Sequence, residues 1–140
     1  MAARAHRVLT GALIRTFKVP NTKTATKGMR VKFSGADDQV ENCGAAENGF
    51  GIALTTVVGS TSLPTVEVVL EGTVMAEVLV GTGGATRGEN AVMAADGFTN
   101  KTLGGGTTVA HAAGKFMQTG VAGDYVGLLI GGVNVATVKA

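Results

Sequence analysis

The chain has 140 residues, 45% of them hydrophobic, with 22 Gly, 2 Pro, 5 Phe, one Tyr, one Cys and no Trp, at a formal charge of +2. That is the length of one domain. The single Cys43 excludes an intramolecular disulfide framework, and no run reaches the roughly 18 apolar residues of a membrane helix. The Gly-, Ala-, Thr- and Val-rich mixture disfavours helix, where Gly wastes backbone entropy and Val and Thr lose side-chain freedom, and suits short strands joined by glycine turns.

Residues 1–27 read as an extended basic arm, and residues 28–140 as a single β-rich domain. The start superficially resembles a signal peptide, but its apolar segment Val8–Ile14 is short, Arg15 breaks it, and no small-x-small cleavage site follows closely. The chain therefore reads as a soluble protein made in the cytosol. Residues 1–36 hold eight basic and no acidic side chains, a formal +8, whereas residues 37–140 hold four basic against ten acidic, a formal −6. A basic arm on an acidic body points to an acidic partner; the plainer reading is a solubilising tail that folds back on its own body.

Pro20-Asn21 marks a turn. Gly28–Ser34 alternates Met29, Val31 and Phe33 against Arg30, Lys32 and Ser34, which predicts a strand with a polar outer face. A turn over residues 35–39, a weak strand over Val40–Ala46 and a hairpin signal at Glu47-Asn48-Gly49 follow. Phe50–Val58 reads as the next strand. Thr65–Val80 is the most strongly patterned stretch: alternation interrupted at Gly72 predicts two strands, or one bent there. Glu67, Glu71 and Glu77 read as solvated faces. The second half gives a strand over Asn90–Ala95, a hairpin at Asp96-Gly97, a loop over Leu103–Gly114, and strands from Lys115, over Tyr125–Ile130 and over Val133–Val138. Lys27-Gly28, a strand, an acidic turn and Gly51-Ile52-Ala53 are echoed by Arg87-Gly88, a strand, an acidic turn and Gly120-Val121-Ala122. The fold class is thus all-β: a compact small barrel or sandwich built from two loosely similar β units, with an extended N-terminal arm.

No catalytic, metal or cofactor site emerges. Gly81–Glu89 lacks the Gly-Lys-Ser/Thr ending of a P-loop, and no G-x-G-x-x-G opens a helix. His6, His111 and Cys43 have no second ligand at metal-binding spacing. A Cys43–His111 nucleophilic pair is the sole catalytic combination open, and Cys43 reads more simply as a small residue near a strand end. Asp37-Asp38 and Asp96 belong to turns, where side chain–backbone hydrogen bonds account for them. Phe17 is the one aromatic residue in the arm, too few for the stacking platforms of a single-strand binder.

Lys27-Gly28, Gly51-Ile52-Ala53, Leu70-Glu71-Gly72, Ala94-Ala95-Asp96-Gly97, Gly120-Val121-Ala122 and Tyr125–Ile130 occur in that order. The order resembles the head decoration, or capsid cement, proteins of tailed bacteriophages, over roughly residues 24–131. The resemblance implies a β-rich (β-tulip-like) body, no enzymatic activity and no cofactor. It implies binding to the major capsid protein on the outer surface of the virion head, made in the host cytoplasm, and self-assembly as a homotrimer in preference to a homodimer. On this reading the expanded head is stabilised, with no small-molecule substrate and no membrane partner. The arm would carry the capsid contacts: Arg4, Arg7, Arg15 and Lys18 toward acidic capsid surface, with Val8, Leu9, Leu13, Ile14 and Phe17 adding apolar burial. The alternative is a small β-barrel nucleic-acid binder using the same arm.

Overall fold

In the computed structural model, residues 13–45, 47–71, 74–100, 109–130 and 136–138 are described. Among them all regular structure is strand, as the composition predicts. The first half supplies β1 (Ile14–Lys18), β2 (Thr24–Ala25), β3 (Arg30–Phe33), β4 (Val40–Asn42), β5 (Gly51–Ala53), β6 (Val57–Val58) and β7 (Thr65–Leu70). The second supplies β8 (Val74–Leu79), β9 (Asn90–Ala94), β10 (Gly97–Asn100), β11 (Val109–His111), β12 (Gly114–Phe116), β13 (Tyr125–Ile130) and β14 (Ala136–Val138). The long patterned stretch does divide about Gly72: β7 and β8 enter different sheets.

Two five-stranded antiparallel sheets form, in the orders β4-β3-β5-β7-β1 and β10-β9-β12-β13-β8. These are the same topology. Each starts from a hairpin (β3–β4, β9–β10), adds two strands in sequence, and takes its last strand from the start of its own half. Each sheet curls until its edges meet at one parallel bridge, Lys18 to Gln39 in the first unit and Val80 to Phe98 in the second. The result is a pair of curled sheets, not a closed barrel. The β2–β6 pair, Ala25 opposite Val57, corresponds to the bridge of Ala85 to Gly120.

Side chains repeat the plan. Thr26 N–H donates to Asn42 Oδ1 and Asn42 Nδ2 to Thr26 Oγ1, both at 2.9 Å; Thr86 and Asn100 do the same at 2.8 and 2.9 Å. The next residue's N–H donates to a threonine hydroxyl, Lys27 to Thr56 and Arg87 to Thr119. Gly28 and Gly88 follow with φ of 80° and 89°, a left-handed turn that other residues enter at a cost. The pairing corrects one detail of the sequence echo: Gly51–Ala53 corresponds to Gly114–Phe116, both pairing with the hairpin strand of their unit, and not to Gly120-Val121-Ala122.

Three further expectations change. Glu47-Asn48-Gly49 does not close a hairpin, because β3 lies between β4 and β5. Residues 14–18, assigned to the arm, form β1 and pair with β7 from Ile14–Val69 to Lys18–Thr65, so the sheet begins well before residue 28. Arg30 does not face solvent. It is 0% exposed, and its Nε and Nη2 donate to the two carboxylate oxygens of Glu71, each at 2.7 Å, with the Glu71 side chain 12% exposed. The reason is that both faces of the first sheet are covered. Phe17, Val31, Val40, Ala53, Val66 and Val68 fill its concave interior. Ile52 and Val69, on the opposite face, join a cluster made mainly of the second unit's interior, including Val78, Met93, Phe98, Phe116, Leu128 and Ile130. Arg30 pairs across with Ile52 and so belongs to that junction.

Two stability measurements check this account. Glu71→Ala takes the paired carboxylate away from a buried guanidinium and is expected to lower the unfolding free energy by about 3–5 kcal/mol in urea titration. A methyl at Gly88 meets nothing within 4 Å, so Gly88→Ala carries only the left-handed penalty, about 1–2 kcal/mol. A methyl at Gly28 would lie 2.6 Å from Leu79 N. Gly28→Ala is therefore expected to lower the urea midpoint further than Gly88→Ala.

Candidate functional site

The open end of the first curled sheet is a groove of about 710 Å³. Phe17 forms its floor and is 3% exposed, whereas Phe33, on the rim, is 60% exposed. Phe33 stacks on Phe50 with centroids 4.1 Å apart and planes 11° from parallel, and Phe17 meets Phe50 edge-on at 5.3 Å. Leu70 completes the apolar wall, and the β3–β4 loop brings Asp37 and Asp38 to the lip. Arg15 crosses from β1: its Nη2 donates to Asp38 Oδ1 at 3.2 Å, and its guanidinium carbon stands 5.5 Å from the Phe17 centroid. Both members of that pair are solvated, so it orients more than it stabilises. Such a surface can bind apolar or aromatic groups and can place a cation beside Asp37.

Of the candidate binding residues, Arg4, Arg7, Val8 and Leu9 lie outside the described residues. Leu13, Ile14, Arg15 and Lys18 are exposed along the edge strand, and Phe17 belongs to the interior of the body. The Leu13 carbonyl accepts from Leu70 N–H at 2.8 Å, which fixes the root of the basic segment beside the groove. Phe33, Phe50 and Leu70 had no place in the sequence-based set. The available signal was that three of five phenylalanines fall on strands of one sheet or next to it, but alternation assigned Phe33 to the buried side.

Elsewhere the chemistry is structural. Lys32 Nζ donates to both Glu47 carboxylate oxygens, at 2.9 and 2.8 Å; these bonds and the Gly44 N–H hold the Glu47 carboxyl below its usual range. Asp96 is likewise lowered by hydrogen bonds from Thr82. Cys43 is buried with Sγ 3.5 Å from Asn48 O, and burial pushes its thiol up to about 12, so at neutral pH it is a protonated thiol rather than a nucleophile. His111 lies in β11, and its side chain is outside the description. Among the described residues no three His, Cys, Asp or Glu side chains come together as metal ligands.

No protein-family model and no curated protein matches this chain. Among solved structures it is similar to the N base of the head fibre gp8.5 of bacteriophage phi29, with a TM-score of 0.65 and 13% sequence identity over 88% of this chain and 98% of that one. At that identity the likeness shows a shared fold.

The thiol gives a direct check. Cys43 in the native protein is expected to resist iodoacetamide at pH 8 and to react promptly once urea unfolds the chain, read by mass spectrometry. Because its folded value is raised, any stability tied to the protonated thiol is intact below about 9 and declines as pH climbs from there toward about 12.

Proposed function

We propose that this chain is a structural protein of a tailed-bacteriophage head that binds the outer capsid surface and stabilises the expanded shell, as a decoration or cement protein. The observation that carries this reading is the fold shared with a phage head-fibre base over 98% of that chain. The ordered motifs that resemble decoration proteins point the same way. The proposed role is mechanical, with the major capsid protein as partner and no chemical step.

The body offers a rigid platform, and the basic segment is rooted at Leu13 on its rim. Exposed Leu13, Ile14, Arg15 and Lys18 continue that segment along the edge of the sheet. Contacts of this kind are individually weak and are screened by salt. Repeated over many copies on a symmetric shell, they add up to stable attachment.

Co-sedimentation with expanded, undecorated heads of the encoding phage tests the proposal. The comparison is the full chain against a version lacking residues 1–12, since a longer deletion would remove β1 from its sheet. The full chain is expected to saturate at a fixed ratio to capsid subunits, and the shortened chain to bind more weakly and with less salt dependence. Absence of saturable binding by the full chain would overturn the reading. Equal binding by both versions would keep the role and move the contacts to the β body.

A further inference from the structure

The shared topology allows the two units to be compared position by position, and they differ at the mouth. Register pairs match Arg15 to Ala76, Phe17 to Val78, Phe33 to Met93 and Leu70 to Ile130. In the first unit Arg15 and Phe33 are exposed and Leu70 is half-buried, above a buried Phe17. In the second, all four are buried, each 2% exposed or less. They belong to one packed cluster with Met29, Cys43, Ile52, Leu54 and Val69, all from the first unit. Ile52 and Val69 alternate along β5 and β7 with Ala53 and Val68, which face the first unit's own interior. Within the chain, then, the outer face of one unit is packed into the interior of the other, mouth positions included.

The mouth of the first unit has no such cover among the described residues. The face that would match it is the outer face of the second unit. Ile52 pairs with Val69, and Lys115 pairs with Leu129 at the same place in the second sheet. Leu54 N–H donates to Glu67 O, and Met117 N–H donates to Gly127 O in the same way. Leu129 and Met117 are thus the counterparts of buried Val69 and Leu54, yet they are 46% and 44% exposed. Lys115, the counterpart of Ile52, is exposed as well.

We propose that the groove of one copy receives the outer face of the second unit of another copy, continuing between chains the packing that already exists within one. Met117 and Leu129 would seat against Phe33, Phe50 and Leu70, and Lys115 would face Asp37 and Asp38 on the lip. The charges set the register and the apolar pairs supply the burial. The contact is head-to-tail: it joins two different surfaces, so it closes into a ring or runs on as a filament according to the rotation between copies. It requires only a second copy of this chain and does not depend on the capsid reading.

Analytical ultracentrifugation of the full chain over a range of concentrations tests it. The native chain is expected to associate. Phe33→Asp in the groove and Leu129→Asp on the outer face are each expected to abolish association. Both side chains are exposed, so each variant should keep the native circular dichroism and still unfold in one cooperative urea transition, with a modest fall in midpoint for Phe33→Asp, which loses its stack on Phe50. Mixed one to one, the variants are expected to form a dimer and nothing larger, because the Leu129→Asp copy keeps a working groove and the Phe33→Asp copy a working outer face. A native chain that stays monomeric, association that survives Leu129→Asp, or a mixture that stays monomeric would each overturn the proposal. Survival of Leu129→Asp with loss at Phe33→Asp would indicate groove meeting groove about a two-fold axis.

Discussion

A chain with 22 glycines and no tryptophan has few large side chains with which to fill a core. Each fully buried Val, Leu or Ile contributes about 1.5–3 kcal/mol, against the ordering entropy of a glycine-rich backbone. The structure meets that constraint by covering the first sheet on both faces. Its concave side encloses one cluster, and its convex side closes the cluster of the second unit. Separated, each unit would lose the junction where Ile52 and Val69 meet the second interior. The architecture is therefore one cooperative body made of two similar halves.

That junction also holds the Arg30–Glu71 pair. A buried guanidinium is tolerated there because Glu71 meets it with two short hydrogen bonds. Such a pair adds little net stability compared with well-packed apolar residues, but it penalises any arrangement that breaks it. Both partners belong to the first unit, so the pair ties β3 to the end of β7 across β5 and holds that sheet's convex face in shape beneath the junction.

Much of this was legible in the residues. Period-two alternation located β3, β7, β8 and β13, and the paired basic-Gly turns announced the duplication. The errors about burial share one cause: alternation separates the two sides of a strand but does not say which side meets solvent. Arg30 and Glu71 looked solvated because a charged residue normally marks an outer face, and here the outer face is an internal junction. Phe33 looked buried because it alternates with Arg30 and Lys32, yet it lies beyond the level at which the sheet closes. The Asn48-Gly49 hairpin signal failed because strand order is decided by pairing distant in sequence, and β3 takes the place between β4 and β5. β1 was hidden for the same reason, since its partner is some fifty residues away.

The divergence of the two halves gives the chain a direction. Around the second mouth, small Ala76 and Ala113 leave room in the cluster for Ile52 and Val69. Around the first, Arg15 and Phe50 stand nearby and the hairpin differs. A two-residue connection, Ala95-Asp96, joins β9 to β10, whereas β3 and β4 are joined by residues 34–39, which carry Asp37 and Asp38 to the lip. Identical halves would leave the first mouth suited to the same face that fills the second. Substitution at a few positions instead produces one sealed end and one open, aromatic, acid-rimmed end on a common frame. Exposed Arg15 lies on β1 at that open end, so an apolar and a cationic feature suited to contact are brought to the same side of the body by the pairing of β1 with β7.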